Sequence, residues 1–205
     1  MSGQLTENFK NNPELKDIII FDNTSISKGL EYINPILGAI QEQNKIEILY
    51  SDESKEFDKK FVLAPTLLKE YKNYWHLIAW NTNLKKYQNF KLEDINDLSV
   101  SEDKFDSSLI EECKELYSHI IGINHSSRQP EIIELSFNPK LKNEIKENPL
   151  HHSQTVLSES DDDFRILIKV IPNDELMDLI LSYISDVEVV NPKWIIEKLR
   201  SNRLS

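Results

Sequence analysis

Residues 65–95, PTLLKEYKNYWHLIAWNTNLKKYQNFKLEDI, constrain the fold more than any other stretch of this chain. Apolar residues alternate there with the two-residue period of a strand. Trp75, Leu77 and Ala79 fall on one face, and His76, Ile78 and Trp80 on the other. A polar turn at residues 81–86 leads to a second short strand at 87–92. The segment reads as a β-hairpin with aromatic residues on both faces, which suits a small barrel or a sheet that binds something.

The flanking sequence extends this pattern. A helix is predicted over residues 30–43, with Leu30, Ile33, Leu37 and Ile40 on one face. Strands follow at 46–50 and 59–64, separated by an acidic loop at 51–56, and a last strand lies near 97–100. Residues 101–130 form a bridge. Its helix, at 108–121, has Ser107 or Ser108 as a cap and Gly122 at its end. The remainder reads as a strand at 132–137, a helix opened by Pro139 and running to 147, and strands at 155–159 and 164–171 across an aspartate turn. A helix at 174–183 capped by Asn173, a strand at 187–190 and a helix after Pro192 complete it. This βαββαβ order is the ferredoxin-like one. The expected fold class is therefore α+β: a connector over 1–29, a β-barrel domain over 30–103, a helical linker over 104–128 and a ferredoxin-like unit over 129–205. Within the connector, Asn11-Asn12-Pro13 breaks any helix, residues 17–21 are an apolar run able to pair as a strand, and no helix-turn-helix fits before residue 31.

The words of the hairpin resemble the WYL-domain family of bacterial ligand-sensing regulators. Members carry a proline-led strand, a Trp-Tyr-Leu strand and a strand reading roughly Arg-x-Phe-Arg-Leu-Asp-Arg-Ile. Here these are Pro65, then Trp75-His76-Leu77, then Gln88-Asn89-Phe90-Lys91-Leu92-Glu93-Asp94-Ile95. Histidine stands where the family has tyrosine. Gln88, Lys91 and Asp94 stand at its three arginines. The second half resembles the C-terminal extension that accompanies such domains, through residues 148–154 (NPLHHSQ), 171–176 (IPNDEL) and 187–192 (VEVVNP). The resemblance covers roughly residues 28–200 and implies a small Sm-like or SH3-like barrel followed by the extension. Members usually carry a winged helix-turn-helix upstream, so the expectation is a sensor part that reaches DNA only through a head not present in this chain.

Charge and composition narrow the function classes. The net charge of −11 argues against a large nucleic-acid footprint. Residues 41–100 are nearly balanced, with nine Lys/Arg against ten Asp/Glu, and Lys69, Lys72, Lys85, Lys86 and Lys91 lie there. An anion would bind near them, unless they only keep a strand edge soluble. No apolar run reaches the roughly 20 residues of a membrane span, no leader precedes residue 17, and a single cysteine, Cys113, fits a reducing compartment. The expected location is cytoplasmic, without membrane contact.

Motifs for catalysis are missing. Cys113 lacks a Cys-His signature, Asp161-Asp162-Asp163 lacks the spacing of a calcium loop, and neither a phosphate loop nor a nucleophile elbow occurs. His151 and His152 are adjacent, and on an extended strand they would point apart, which disfavours a shared metal. No enzyme activity, metal or cofactor is expected. The resemblance instead makes His151, His152 and Gln154 contact residues of a loop that presents polar side chains or docks the second domain on the first.

His76 is the residue on which the functional expectation turns. With Trp75 and Leu77 inward it points to the opposite surface, where it offers a flat ring, a hydrogen-bonding tip and a titratable charge. Trp80 shares that face and extends an aromatic platform. Gln88 and Lys91 cannot both join His76 without a bulge, so Lys91 is expected to reach in from the rim. The expected ligand site is thus His76, Gln88, Lys91, Trp80 and Lys69, with His151, His152 and Gln154. The resemblance implies a nucleotide-like or single-stranded nucleic-acid effector and a homodimer, and the residues imply binding that is tighter at low salt and as pH falls toward 6. The alternative is an interaction and dimerisation module whose ligand site has degenerated, as Gln88 and Asp94 suggest.

Overall fold

The computed structural model describes residues 28–51 and 58–202. Most of the connector, the strand expected at 17–21 and nearly all of the acidic loop lie outside the described residues. The architecture is α+β, with two antiparallel sheets.

The first sheet is built from β1 (Asn44–Tyr50), β2 (Lys59–Tyr71), β3 (Tyr74–Asn81), β4 (Lys86–Lys91) and β5 (Ile95–Lys104), in the order β4-β3-β2-β1-β5. The strand at 59–64 and the proline-led strand are one long strand, with a register shift between Pro65 and Leu67. Proline has no N–H to give the ladder, so the pairing slips there. Lys72 and Asn73, at φ 50° and 68°, make the two-residue turn into β3. Two successive left-handed residues match the natural twist of a hairpin. β4 and β5 form the two edges, and no ladder joins them among the described residues.

A 3₁₀ turn, Leu30–Tyr32, leads into α1 (Ile33–Glu42). Ile36 and Ala39 are buried against the sheet, whereas Leu30 and Leu37 are more than two-fifths exposed. The expected face through Leu30 and Leu37 is therefore rotated. Leu30 belongs to the 3₁₀ turn, so the α-helical phase starts only at Ile33. Under α1 lie Ile46, Ile48, Leu63, Leu77, Ala79 and Phe90. Tyr50, Phe61 and Phe90 meet edge to face there, with centroids 5.1–6.3 Å apart.

α2 (Ser108–Tyr117) is shorter than its expected span of 108–121. Its start is capped by Asp106, whose carboxylate accepts the Ser108 N–H at 2.9 Å, and not by either serine side chain. That backbone bond holds the Asp106 carboxyl below its usual range. The helix packs on the second face of the first sheet, where Ile78, Cys113, Tyr117, Ile120 and Ile171 form one buried cluster. This roof corrects the expectation that His76 looks out to solvent. Burial pushes the Cys113 thiol up to about 11, which leaves it unreactive near neutrality.

The second sheet contains β6 (Glu131–Phe137), β7 (Thr155–Glu159), β8 (Phe164–Val170) and β9 (Val187–Asn191), in the order β7-β8-β6-β9. α3 (Lys142–Glu147), α4 (Asp174–Ser182) and α5 (Lys193–Asn202) complete it. Strand alternation puts Ile133, Leu135 and Phe137 of β6 with Phe164, Ile166 and Ile168 of β8 on one face. Ile145, Leu176 and Ile195 from the three helices join the same core. Asn173 caps α4 as the sequence predicts, accepting the Leu176 N–H at 2.9 Å. Among the described residues no helix is long and apolar enough to cross a membrane.

Candidate functional site

A row of basic and titratable side chains crosses the roofed face of the first sheet. Lys69 of β2 pairs with His76 of β3, and His76 pairs with Lys91 of β4. Residues directly opposite in antiparallel strands share a face, so the three side chains stand side by side. Lys91 is therefore not a rim residue, as expected from its sequence, but His76's direct neighbour. Gln88 pairs with Ala79 and lies on the other face, where its side-chain oxygen accepts from Asn81 at 2.7 Å.

Each member of the row has a distinct environment. His76 is only 6% exposed, and its buried Nδ1 has no hydrogen-bond partner among the described residues. Burial, then the Lys91 charge, hold its pKa below the ordinary histidine value, although Glu93 opposes them. The ring is thus harder to protonate than an ordinary histidine, which opposes the positive charge expected as pH falls. The Lys69 ammonium donates to the Ile120 carbonyl at 3.1 Å, and burial lowers its pKa against the opposing Glu175 charge. Lys91 sits over the Tyr74 ring, 3.5 Å from its centroid, and is ion-paired with Glu93. Burial pulls its pKa down, but the bond to Glu93 together with the charges of Glu93, Tyr74 and Asp94 raises it above the ordinary lysine value.

The segment after α2 is held between the two sheets. On one side Lys69 binds the Ile120 carbonyl. On the other, the Ile171 N–H donates to the His119 carbonyl at 2.7 Å, and Asn173 donates to the carbonyls of Ile121 and Asn124 at 2.7 and 2.9 Å. Glu175, at the start of α4, accepts from the backbone N–H and side-chain amide of Asn124 at 3.1 and 2.5 Å. Gly122 has φ 79°, and a Cβ there would come within 2.6 Å of the Glu175 Cγ. Gly122 thus makes room for this joint; the helix itself ends at Tyr117. Gly122→Ala is expected to cost more than about 1–2 kcal/mol, the usual penalty of a left-handed non-glycine residue, because the contact adds to it. Urea unfolding checks this, and an unchanged midpoint would refute it.

His151 and His152 occupy the bend between α3 and β7 and not a strand. Their rings lie together, with centroids 4.2 Å apart, which corrects the expectation that they point apart. His151 is bonded to Ser153 through Nδ1 at 2.8 Å, and His152 reaches the Ser118 carbonyl through Nε2 at 2.6 Å. Burial lowers the pKa of His151 to about 4, followed by the charges of His152, His119 and Lys69. The loop therefore docks on the bridging segment close to Lys69. Gln154 is turned inward, accepting from the Leu150 N–H at 2.9 Å and donating to the Ile145 carbonyl at 2.8 Å. No group of three or more His, Cys, Asp or Glu residues among the described ones is placed to hold a metal.

The structure thus brings together Lys69, His76 and Lys91, with His151 and His152 near Lys69, and separates Gln88, Gln154 and Trp80 from them. Trp80 shares His76's face but lies one turn of the pleat beyond Ile78, which is covered by the bridging segment. Asn124, Asn173 and Glu175, which tie the two sheets together, were not singled out as site residues. Only Asn173 carried a local signal, as a helix cap.

A WYL domain model matches residues 31–100, and a WCX domain model matches residues 129–202. No curated protein matches the chain. Among solved structures, the chain is similar to proteasome accessory factor B/C (PafBC) of Arthrobacter aurescens, at 12% identity and a TM-score of 0.39 over 88% of this chain and 27% of that one. It is also similar to a CRISPR Cas-related protein, at 14% identity and a TM-score of 0.48 over 85% of this chain and 50% of that one. The chain spans about a quarter and a half of the length of these two proteins. The chain carries a WYL domain over residues 31–100 followed by a WCX domain over residues 129–202.

Proposed function

We propose that this chain is the ligand-sensing part of a transcriptional regulator, and that its effector is an anion of the nucleotide or single-stranded nucleic-acid class. The carrying observation is the cross-strand row Lys69–His76–Lys91, in which a buried imidazole nitrogen lacks a partner between two ammonium groups. An anion takes hydrogen bonds from both lysines, and His76 supplies a flat ring. In this reading the first unit is an Sm-like barrel whose edges are left open, and the second is ferredoxin-like on its strand order. The protein binds without catalysing, acts as a homodimer and works in the cytoplasm.

The row also supports a second reading. Lys91 already has Glu93, and Lys69 already has the Ile120 carbonyl, so the row is partly satisfied from within. A module that only joins protein partners would look the same. Titration of short oligonucleotides at low salt separates the two. Sensing predicts binding that weakens with salt and drops about tenfold or more in Lys91→Ala, which removes one charge-assisted contact. No binding under any condition, or binding indifferent to both Lys91→Ala and His76→Ala, would leave the interaction module as the better reading.

A further inference from the structure

A groove of about 530 Å³ opens between β4 and the bridging segment, and none of Lys69, His76 and Lys91 lines it, although its Tyr117 ring lies 5.9 Å from the Lys69 ammonium. One wall is aromatic. Trp80 and Tyr87 stand edge to face with centroids 5.0 Å apart, and the Tyr87 hydroxyl donates to the Leu109 carbonyl at 2.7 Å, so its ring is fixed. At the mouth are Lys85 and Lys86. Their turn is built firmly: the Asn81 side-chain oxygen accepts the N–H groups of Asn83 and Leu84, both at 3.0 Å, and the Lys85 N–H returns to the Asn81 carbonyl at 2.8 Å. Both lysines are exposed and form no ion pair among the described residues, in a chain of net charge −11. Side-chain amides of Asn89 and Asn124 also line the groove. The Asn89 amide donates to the Ile123 carbonyl at 3.4 Å and to the Asn124 side-chain oxygen at 3.1 Å.

We propose that this groove is a second binding site, separate from the Lys69–His76–Lys91 row, and that it takes a nucleoside monophosphate. Unpaired cations at the mouth meet the phosphate. A rigid aromatic wall stacks on the base, a contact open to any base because each has a π-face. The Asn89 side-chain oxygen, which accepts no hydrogen bond among the described residues, and the second N–H of the Asn124 amide meet the edge of the base. A volume of about 530 Å³ suits one small ligand, so a mononucleotide is the occupant proposed.

Asn124 connects the groove to the joint between the domains. Asn124, which lines it, donates to Glu175 of α4 from both its backbone and its side chain, and its carbonyl accepts from Asn173. An occupant that hydrogen-bonds Asn124 therefore bears on the contact through which the WCX domain grips the bridging segment.

Calorimetric titration of the whole chain with AMP, GMP, CMP and UMP, alongside adenosine, ribose 5-phosphate and inorganic phosphate, tests this. At least one monophosphate is expected to bind, with ribose 5-phosphate about tenfold or more weaker because the stacking partner is gone. The double variant Lys85→Glu, Lys86→Glu is expected to weaken binding by about tenfold or more, since both phosphate contacts become repulsive. Lys91→Ala, in the separate row, is expected to leave this affinity within about twofold. The proposal is overturned if phosphate alone binds as well as any nucleotide, if the double variant binds normally, or if Lys91→Ala abolishes binding and so puts the ligand in the row. It is also overturned if none of the four monophosphates binds at about millimolar concentration, below which a site of this kind has no use.

Discussion

Phe164→Ala is expected to destabilise the WCX domain by about 3–5 kcal/mol, the cost of removing a large aromatic from a packed core. Phe164 has no solvent exposure and starts β8. It pairs with Phe137 of β6 on one side and Glu159 of β7 on the other, so its ring fills the sheet where the two neighbouring strands meet it. A smaller side chain leaves a cavity that three hydrogen-bonded strands cannot collapse around. Urea unfolding followed by circular dichroism gives the free energy. A loss below about 1 kcal/mol would mean that this corner of the core repacks freely, contrary to the close packing of protein interiors.

Acidification is the second large effect. His151 has a pKa of about 4 in the folded chain, against about 6.5 for an unperturbed histidine. The unfolded chain therefore takes up a proton first as pH falls, while the folded chain keeps the ring neutral. The stability that His151 lends is fully present above about pH 6.5 and is lost as pH falls through the interval down to about 4. The loss should reach about 1–2 kcal/mol, a discounted figure because the ring lies at an interface and is not deep in a core. Lys69, His119 and His152 surround it, so a proton on His151 adds positive charge to a positive neighbourhood. Unfolding free energies measured at intervals from pH 7 to 4.5 should fall less steeply in His151→Gln than in the native chain. Parallel slopes would show that His151 titrates normally. Because the same loop holds the Ser118 carbonyl through His152, the pH at which His151 charges is also where the WCX domain should begin to loosen from the bridging segment.

Much of the fold was legible because it rests on local periodicity. The alternation through Trp75–Trp80, the cap at Asn173 and the order of elements in the second half are each encoded by neighbours in sequence. The resemblances to the WYL domain and to its C-terminal extension both rest on such short words. Where the sequence misled, a distant element intervened. Strand alternation places His76 opposite Leu77 correctly, but cannot say that α2, some thirty residues later, covers that face. The helical stripe of α1 was misphased because Leu30 sits in a 3₁₀ turn, whose three-residue period cannot be told from the α-helical one over so short a run.

The candidate site divides in the same way. Sequence alone determined which residue types this chain can offer an anion, Lys69, His76, Lys91 and the lysine pair at 85–86, and that His76, Ile78 and Trp80 share one side of β3. Tertiary structure decided which of them meet. The pairing of three strands lines up Lys69, His76 and Lys91. The docking of residues 117–124 then divides that face into a cationic row and an aromatic groove, and links both to Glu175. Periodicity is a property of one strand and survives in any surroundings. Burial, pKa and the partners of a buried nitrogen are properties of everything packed around it, and those contacts come from parts of the chain whose separation in sequence carries no signal.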